Sequence, residues 1–438
     1  MASNNKLTPV AAANVKNSEV DALYEFRDHY FEQFGVERAV FKNDEVKRKM
    51  EETLKIVESH KDSFPNKAEY FMLLGRTLNV TPDYDSKAYE CLSKAVKLDP
   101  KLVEAWNHLG ELYWKKGDIN NAKNCFSGAL THSKNKISLR NLSMVLRQLN
   151  VSAEERVAKV EESVEKAKEA VQMDIKDGQS WLILGNAYLS LFFSTGQSAK
   201  ILQQAMSAYK QAESDPVARN NADLHYNRAS AYKFEEDFQK ALEGFSHASL
   251  LDPSWKAPET QERQLLSYLT SVTQMIEAKG KVKGKRLQTL SQSPRDSALG
   301  PYAGGGYTSN SGKSVKLMRC SFKDLETGVN PERVVLGKVA CTIPTDDLVP
   351  FTFCMIDEDE TVMPVNVYNL AQGSGVKIGD SVAIPEPYIQ IVSVKHKDKE
   401  FYYRGIRVST PLILVVNGRK LGRDKQVGTV LVVNAVSD

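Results

Sequence analysis

The stretch "KAYECLSKAVKLDPKLVEAWNHLGELYW", residues 87–114, decides the fold because its spacing recurs in residues 166–189. In both stretches a tryptophan, a leucine, a glycine and a tyrosine follow one another at intervals of three, one and three residues. They are Trp106, Leu109, Gly110 and Tyr113 in the first stretch, and Trp181, Leu184, Gly185 and Tyr188 in the second. Recurrence of one spacing along a chain is typical of stacked repeats.

A second spacing follows the first and predicts a partner helix. Ala122, Phe126 and Ala129 lie four and three residues apart, which places them on one face of a helix. Gly110 has no side chain, so the paired helix can approach it closely, while aromatic rings fill the space between neighbouring repeats. One helix pair cannot bury its apolar face alone, so several pairs must stack.

The two spacings resemble the tetratricopeptide repeat family, whose first helix carries W-x-x-L-G-x-x-Y and whose second carries A-x-x-x-F-x-x-A. We expect five repeats, with insertions at residues 150–162 and 190–202 and a capping helix after the fifth. The first helices of these repeats contain, in order, Phe71, Trp106, Leu139, Trp181 and His225. The resemblance gives His225 a structural position rather than the role of a base or a ligand.

In this family, set positions of each first helix face a concave groove, which makes the array a binding module. Counting along the helices places charges of both signs in that groove. The candidate peptide-binding residues are Glu111, Arg140, Arg147, Asn186, Asp223 and Asn227. An arginine can hold a carboxylate with two hydrogen bonds, and the acids can receive a cation. The groove therefore favours a short peptide with an acidic and a basic side chain; alternatively, these residues are solvated or pair with one another.

Five cations lie close together directly after the predicted capping helix. They are Lys279, Lys281, Lys283, Lys285 and Arg286. Two glycines keep this stretch flexible and no aromatic residue interrupts it, so it favours contact with a phosphate backbone rather than with bases. A nuclear import signal and a plain solvated linker are the open alternatives.

From about residue 330 the pattern changes to seven short β-rich runs with Gly, Pro and Asp between them. The runs are "VVLGKVACTI", "PFTFCMIDE", "TVMPVNVYNL", "DSVAIPEP", "YIQIVSV", "EFYYRGIRVST" and "LILVVNG". They predict a small barrel, and "VKIGDSVAIPEP" resembles the oligonucleotide-binding (OB) fold. Tyr368, Tyr402, Tyr403, Arg404 and Arg407 are candidates for nucleic-acid binding. Core packing of the aromatic residues and a protein-interaction role for the barrel are the alternatives.

One stretch, "GGGYTSNSGKSV" at residues 304–315, nearly matches a phosphate-binding loop. The signature requires a glycine one residue nearer to Lys313 than Gly306, and Tyr307 interrupts the match. Its flanks resemble a loop and a strand rather than a strand and a helix, so we expect a Gly/Ser linker there. The seven histidines lack metal-ligand spacing. We therefore expect no enzyme, no cofactor and no metal site.

The composition fits an intracellular protein with two or three domains. The chain has 438 residues, of which 42% are hydrophobic and 26% charged, and its formal net charge is +3. Such a small charge gives no global attraction to nucleic acid, so binding of that kind needs a local patch. The five scattered cysteines fit reduced thiols, and no apolar run suits a signal peptide or a membrane span. We expect a cytoplasmic and nuclear location and no membrane partner.

These patterns together predict an α-solenoid of tetratricopeptide repeats followed by a small all-β OB-like barrel. The expected divisions are N-terminal helices over 1–65, forming a cap or a degenerate repeat, the repeat array with its capping helix over 66–278, a basic and then Gly/Ser-rich linker over 279–329, the barrel over 330–425, and a tail over 426–438.

The order of these parts resembles the family of tetratricopeptide repeat protein five, also called the Strap or stress-responsive activator family. The resemblance is carried by "NVTPDYDSKAYECLSKAVKL", "ELYWKKGDINNAKNCFSGALTH", "KISLRNLSMVLRQL", the lysine-rich stretch and "GDSVAIPEP". It implies a non-enzymatic adaptor that sits on the ribosome and reads Met-Arg-Glu, the N-terminus of nascent tubulin. The adaptor would then bring in mRNA-decay proteins, which gives tubulin autoregulation.

The resemblance also implies roles for individual residues. Arg147 would meet the acidic residue of the nascent peptide and Asp223 its arginine, while Lys283 and Lys285 would touch ribosomal RNA. The same family implies an alternative function as a stress-response cofactor that links JMY and the p53 pathway to a histone acetyltransferase. The sequence does not rank these two functions.

Overall fold

The computed structural model describes residues 9–64, 66–304, 306–308, 312, 314–344 and 349–429. These residues divide into two compact units. The first contains the chain up to Ala231 together with Gly244–Pro258, and the second contains Tyr232–Glu243 together with the chain from Glu259. The first unit is helical, and the second combines helices with a β-sheet.

Helices α1 to α14 follow one another from the N-terminal side. Their bounds are α1 (Pro9–Asp28), α2 (Tyr30–Phe34), α3 (Ala39–Ser59), α4 (Lys67–Leu78), α5 (Ser86–Leu98), α6 (Val103–Lys115), α7 (Ile119–His132), α8 (Lys136–Leu146), α9 (Ala153–Met173), α10 (Gly178–Ser194), α11 (Ala199–Ala212), α12 (Pro216–Arg219), α13 (Ala222–Phe234) and α14 (Phe238–Leu251). Helices α4 to α11 pack as four successive pairs, and α13 with α14 supplies the fifth predicted repeat. The solenoid predicted from the sequence is confirmed.

The N-terminal helices share the core of the first repeats. Val20 and Leu23 of α1 and Val46 of α3 are buried in one cluster with Leu73 of α4 and Leu92 of α5. The predicted helices of this region are therefore present, and they cover the apolar face that the first repeat would otherwise expose.

The two insertions predicted from the sequence, 150–162 and 190–202, lie largely in helices rather than in loops. Helix α9 already begins at Ala153 and has 21 residues, while α10 has 17 residues and continues to Ser194. Phe192 and Phe193 are almost fully buried. Extending the helix buries these two rings, whereas a loop would expose them.

Side-chain caps define where the helices begin. A side-chain oxygen of the residue before the helix accepts a hydrogen bond from a backbone N–H of the first turn, which has no partner inside the helix. The capping residues are Asn66, Asp85, Asp118, Asn135, Ser152, Asp177 and Asp215.

The glycines of the repeat motif mark the closest approach of paired helices. A Cβ on Gly110 would lie 2.5 Å from the ring of Phe126, and one on Gly185 would lie 2.7 Å from the ring of Tyr209. In the first repeat a Cβ on Gly75 would lie 2.5 Å from Leu92. These distances are too short for carbon atoms, so the predicted reason for glycine at this position is confirmed.

The two motif tryptophans make the same hydrogen bond in their repeats. Trp106 Nε1 donates to the carbonyl oxygen of Pro100 at 2.8 Å, and Trp181 Nε1 donates to that of Ile175 at 2.9 Å. Each acceptor lies six residues before its tryptophan, so each indole fixes the turn that leads into its own helix.

Two further helices and twelve strands lie in the described residues of the second unit. The helices are α15 (Lys256–Glu277), which starts at the end of the first unit, and α16 (Gly284–Gln292). The strands are β1 (Gly306–Thr308), β2 (Ser314–Lys316), β3 (Met318–Arg319), β4 (Gly328–Val329), β5 (Arg333–Thr342), β6 (Phe351–Ile356), β7 (Val362–Val367), β8 (Ser381–Pro385), β9 (Tyr388–His396), β10 (Lys399–Val408), β11 (Val415–Val416) and β12 (Arg419–Lys420).

The larger sheet is mixed and has the order β12-β11-β8-β5-β6-β7-β10-β9-β4, with β3 added to β5. Strand β7 pairs with β10 in parallel, and β3 pairs with β5 in parallel. One face buries an apolar core that includes Val335, Phe353, Val365, Ile384 and Ile406. All seven predicted strand runs are present, which confirms the β-rich second domain.

The segment 279–329 is not the linker that the sequence predicted. A single helical turn (Lys279–Lys281), α16 and strands β1 to β4 lie in it. At the near-match loop, residues 306–308 pair with residues 314–316 as the β1–β2 ladder, in which Tyr307 faces Val315. Lys313 and residues 305 and 309–311 lie outside the described residues. The many lysines and glycines suggested a linker, but the few apolar residues of this segment pack on the sheet.

The predicted capping helix also belongs largely to the second unit, from Glu259 onward. Within that unit Tyr268 of α15 donates a hydrogen bond from its hydroxyl to Asn366 Oδ1 at 2.8 Å and lies 3.2 Å from Thr352 Oγ1. The hydroxyl and Asn366 are buried, so α15 is fixed to the sheet by a satisfied polar contact. Within the described residues, no helix is both long and apolar enough to cross a membrane.

Replacing Gly110 by alanine tests the close approach of α6 and α7. Alanine favours a helix over glycine by about 0.5–1 kcal/mol, but overpacking a tight contact costs about 1–3 kcal/mol. We expect Gly110→Ala to lower the thermal midpoint of the helical signal in circular dichroism. Gly128 of α7 is the matched control, because its added Cβ would lie an ordinary 3.6 Å from Trp106.

Gly128→Ala should leave the midpoint unchanged or raise it slightly. A Gly110→Ala protein that melts at or above the Gly128→Ala protein would contradict the account of this contact.

Candidate peptide-binding site

Arg147 stands at the C-terminal end of α8 and reaches across to the next repeat. Its Nη1 donates to the carbonyl oxygen of Ile183 in α10 at 3.2 Å. Burial lowers the pKa of Arg147 to about 10, and the nearby Tyr209 hydroxyl and Asp223 carboxylate act in the opposite direction. The guanidinium therefore remains charged at neutral pH although it has lost part of its water.

No carboxylate oxygen in the described part of the chain lies within ion-pairing distance of the Arg147 guanidinium. A partly desolvated cation that has only a carbonyl contact has lost hydration without gaining a counter-ion. A carboxylate that approached from outside could bind through two charge-assisted hydrogen bonds. This arrangement makes Arg147 a receptor for an acidic group.

Three helices are joined beside Arg147 by the amide of Asn186. Its Oδ1 accepts from the Tyr209 hydroxyl at 2.8 Å and from Asn227 Nδ2 at 3.1 Å. Both asparagines are only 1% exposed. Burial raises the pKa of Tyr209, so its hydroxyl stays protonated and donates. The network fixes α10, α11 and α13 around the candidate site.

Asp223 lies in the first turn of α13 and is 5% exposed. Its backbone N–H donates to Asn221 Oδ1 at 2.8 Å. The carboxylate is favoured at the N-terminus of a helix, where the macrodipole is positive. Its charge acts on both Arg147 and Tyr209, so the structure brings the two predicted charges of opposite sign into one neighbourhood.

Four of the six predicted groove residues therefore come together, and we call Arg147, Asn186, Tyr209, Asp223 and Asn227 the inner cluster. Tyr209 was not predicted to belong to it. It lies in the second helix of its repeat, and its ring packs on Gly185 as that of Phe126 packs on Gly110. The hydroxyl distinguishes Tyr209 from the phenylalanine at this motif position, and it could have indicated a polar contact.

Arg140 lies outside the inner cluster and already has a carboxylate partner. Its Nη1 lies 3.0 Å from Asp177 Oδ2 and 3.2 Å from Oδ1. Burial would raise the pKa of Asp177, but the Arg140 charge and the Ser180 hydroxyl outweigh it and hold that pKa below its usual value. The prediction that Arg140 receives a ligand carboxylate is therefore not supported, because the chain itself supplies one.

Glu111 is likewise engaged within the protein. Its Oε2 accepts from Asn79 Nδ2 and lies 2.9 Å from His108 Nδ1, while Oε1 accepts from Asn141 at 3.4 Å. Burial raises its pKa, but the charge and hydrogen bond of His108 and the charge of Lys115 bring it down to about 2. Glu111 thus ties α6 to neighbouring helices and is not open to a ligand cation.

We call residues 279–286, which carry the five clustered cations, the basic segment. It has a defined backbone conformation rather than the flexibility that the sequence predicted. Lys283 directly precedes α16, and Lys285 and Arg286 lie in its first turn; these side chains and Lys281 are exposed. Lys279 differs, since its Nζ lies 3.1 Å from Glu360 Oε2. The N-terminus of a helix is the positive end of its dipole, and here it also carries cationic side chains. An anion placed there would be stabilised by the dipole and by the side chains.

The candidate nucleic-acid face of the barrel is largely covered within the second unit. Tyr368 and Tyr403 are buried, and the Arg407 guanidinium stacks 4.0 Å over Tyr368 and lies 3.2 Å from Glu236 Oε1. Tyr402, on the opposite side of β10, is 68% exposed. The alternative that most of these side chains are core is thus supported, because the chain fills the surface that bases would need.

The fold and the inner cluster define a class: a tetratricopeptide repeat protein with an OB-fold domain. A family model described as the tetratricopeptide repeat protein 5 OB fold domain matches residues 316–430. Two tetratricopeptide repeat models match residues 85–117 and 103–135. The matched domain begins earlier than the predicted boundary at 330, in agreement with strands β2 to β4.

Curated relatives match along nearly the whole chain. Proteins named tetratricopeptide repeat protein 5 from Bos taurus and Homo sapiens are each 54% identical over 409 residues, and the protein of that name from Mus musculus is 52% identical over the same length. Each alignment covers 93% of this chain and 93% of the relative. The chain belongs to the tetratricopeptide repeat protein 5 family.

The acid side of the stability profile tests the role of Glu111. Because its folded pKa of about 2 lies below the usual value of 4.5, its stabilising contribution is complete above pH 4.5 and is lost as the pH falls toward 2. We expect Glu111→Gln to lower the free energy of unfolding at neutral pH and to flatten its decline in acid. Urea unfolding at several pH values measures both effects.

Glu161→Gln, at an exposed position of α9, is the control and should follow the wild-type profile. A Glu111→Gln profile parallel to that of the wild type would show that Glu111 is not held by this network.

Proposed function

We propose that this protein is a non-enzymatic adaptor whose inner cluster binds the charged end of a short peptide. The observation that carries the proposal is Arg147, a partly desolvated guanidinium with no carboxylate at ion-pairing distance in the described residues. Arg140 provides the contrast, because its guanidinium already forms an ion pair with Asp177 inside the protein.

The inner cluster suits a ligand with adjacent charges of opposite sign. An acidic side chain would bind Arg147 and a basic one would bind near Asp223. A hydrogen bond to a charged group contributes about 1.5–3 kcal/mol. The fixed Asn186–Tyr209–Asn227 network adds rigidity, which lowers the entropy lost on binding.

We propose that the ligand is the N-terminus of nascent tubulin, Met-Arg-Glu, as the family resemblance implies. Its arginine and glutamate supply the two charges in the required signs. The bound adaptor would then bring mRNA-decay proteins to the ribosome, which is tubulin autoregulation. The alternative cofactor function, with JMY and a histone acetyltransferase as partners, would use the same groove for another charged segment.

The basic segment supplies the second half of the mechanism. Lys281, Lys283, Lys285 and Arg286 are exposed on and before the start of α16, and we propose that they bind phosphates of ribosomal RNA. Attachment to the ribosome raises the effective concentration of the nascent peptide at the groove, so a weak intrinsic affinity suffices. The two surfaces therefore have separate tasks.

Substitution of residues in the inner cluster should weaken binding of the peptide and leave binding of the ribosome unchanged. We expect Arg147→Ala to weaken binding of a Met-Arg-Glu peptide by about 10–100-fold, since a lost charge-assisted bond costs about 1.5–3 kcal/mol. Asp223→Ala should act in the same direction. Calorimetry with the peptide and crosslinking to ribosomes that translate tubulin measure the effect.

Arg156→Ala is the control for net charge, because Arg156 lies exposed on α9, and Arg140→Ala tests the paired arginine. Both should keep peptide binding near the wild-type level, with folding checked by circular dichroism. Equal losses in Arg147→Ala and Arg156→Ala would remove the inner cluster as the binding site.

Neutralising the basic segment should weaken ribosome binding and leave peptide binding unchanged. We expect Lys283→Ala with Lys285→Ala to reduce ribosome co-sedimentation and to lower the slope of log affinity against log salt by about 1.4–1.8, the amount for two phosphate contacts. Peptide affinity in calorimetry should not change.

Lys279→Ala serves as the matched control, because Lys279 is paired with Glu360 and should contribute less to the slope. An unchanged slope in the double variant would show that other residues hold the ribosome.

A further inference from the structure

Two cysteines of the second unit face each other across neighbouring strands. Cys341 of β5 and Cys354 of β6 are direct partners in the antiparallel register, and both are free thiols. Directly opposite residues in such a ladder have Cα atoms about 4.5–5.5 Å apart, which lies within the range of about 4.4–6.8 Å found for disulfides.

A bulge in β5 creates this pairing. The register shifts between Val339 and Cys341, so an extra residue of β5 lies opposite β6. A regular ladder would place Ala340 opposite Cys354. Because the bulge sets the next residue there instead, Cys341 becomes the partner of Cys354 on the same face of the sheet.

The cysteine pair lies on the outer face of the sheet, under the basic segment. Phe353 and Met355, on either side of Cys354, belong to the inner core, so Cys354 points to the opposite face with Ile356. On that face Ala340 and Ile356 pack with Leu290 of α16, together with Val282 and Leu287. A Cβ on Gly280 would lie 2.9 Å from the Cβ of Ala340.

The two thiols differ in ways that assign them different tasks. Cys341 is 6% exposed and Cys354 is fully buried. The hydrogen bond from Cys354 holds the pKa of Cys341 below its usual value, and the Lys281 ammonium acts in the same direction. Burial instead raises the pKa of the other thiols, Cys91, Cys125 and Cys320. Cys341 is thus the thiol best able to form a thiolate.

We propose that Cys341 and Cys354 form a peroxide-sensitive dithiol that closes reversibly to a disulfide beneath the basic segment. The Cys341 thiolate attacks one oxygen of hydrogen peroxide and becomes a sulfenic acid, while the other oxygen leaves as hydroxide and takes a proton to give water. The Cys354 sulfur then attacks the sulfenic sulfur, and its thiol proton passes to the sulfenic hydroxyl, which leaves as the second water. Two thiols and one peroxide give one disulfide and two waters, with two electrons passed to the peroxide.

Closure would alter the surface on which the basic segment rests. Ala340 touches the turn at Gly280, and the Lys281 charge acts on Cys341, so a new bond at Cys341 changes both contacts. Where the proposed ribosome contact of this segment holds, oxidation would also change its salt-dependent binding. The thiol chemistry itself does not depend on that function.

The test treats the full chain with sub-millimolar hydrogen peroxide at neutral pH, followed by alkylation under denaturing conditions and mass spectrometry. We expect a disulfide-linked peptide pair that contains Cys341 and Cys354 and disappears with dithiothreitol. Loss of the Cys341 thiol should be about tenfold faster than loss of Cys91 or Cys320, because burial raises the pKa of those two thiols and neither has a cysteine opposite it. Hydrogen exchange of amides 280–290 should change about threefold or more on oxidation, while that of α9 stays constant.

Two variants separate the steps. Cys354→Ser should stop at a sulfenic acid on Cys341 that dimedone traps, and Cys341→Ser should leave Cys354 reduced at the same dose. The proposal is overturned if both thiols remain alkylatable at a dose that oxidises half of Cys91, or if Cys341 links only between molecules. It is also overturned if the 280–290 amides exchange identically before and after closure.

Discussion

The close approach of paired helices at the motif glycines is the constraint on which the solenoid depends. At Gly110 and Gly185 the facing ring lies where any Cβ would stand, so the pair closes only without a side chain. In the fourth repeat that ring belongs to Tyr209, and its hydroxyl reaches Asn186 at 2.8 Å. The same contact that packs the repeat therefore sets the donor that organises the inner cluster. Packing and recognition share one side chain, which is why the site stands on rigid helices rather than on a loop.

The charged side chains along the groove differ in whether the protein itself supplies their partners. Arg140 and Glu111 satisfy their charges inside the protein, the first with Asp177 and the second with Asn79 and His108. Arg147 has lost water to its surroundings and receives only a carbonyl oxygen in return. An uncompensated charge costs stability in the folded state, and a ligand that supplies the counter-charge recovers that cost as binding energy.

The sequence predicts the architecture well because its information is local. The spacing of Trp106 and Gly110, and the alternation of the strand runs, follow from helix and strand geometry alone. The sequence cannot show which charges are already paired, because Arg140 and Asp177 are 37 residues apart and meet only in the fold. It also gave no sign of α16, whose Leu287 and Leu290 pack on a sheet formed by residues later in the chain. Counting helix positions predicted only that Arg147 and Asp223 each face the groove.

A charge exchange between Arg147 and its ligand tests the central claim most directly. Calorimetry would compare the wild type and Arg147→Glu, each with the Met-Arg-Glu peptide and with a peptide in which lysine replaces the glutamate. The account predicts that the wild type prefers the acidic peptide and that Arg147→Glu prefers the lysine peptide, since the preference comes from one contact between opposite charges. If the substitution weakens both peptides equally and leaves the preference unchanged, Arg147 does not contact the acidic group.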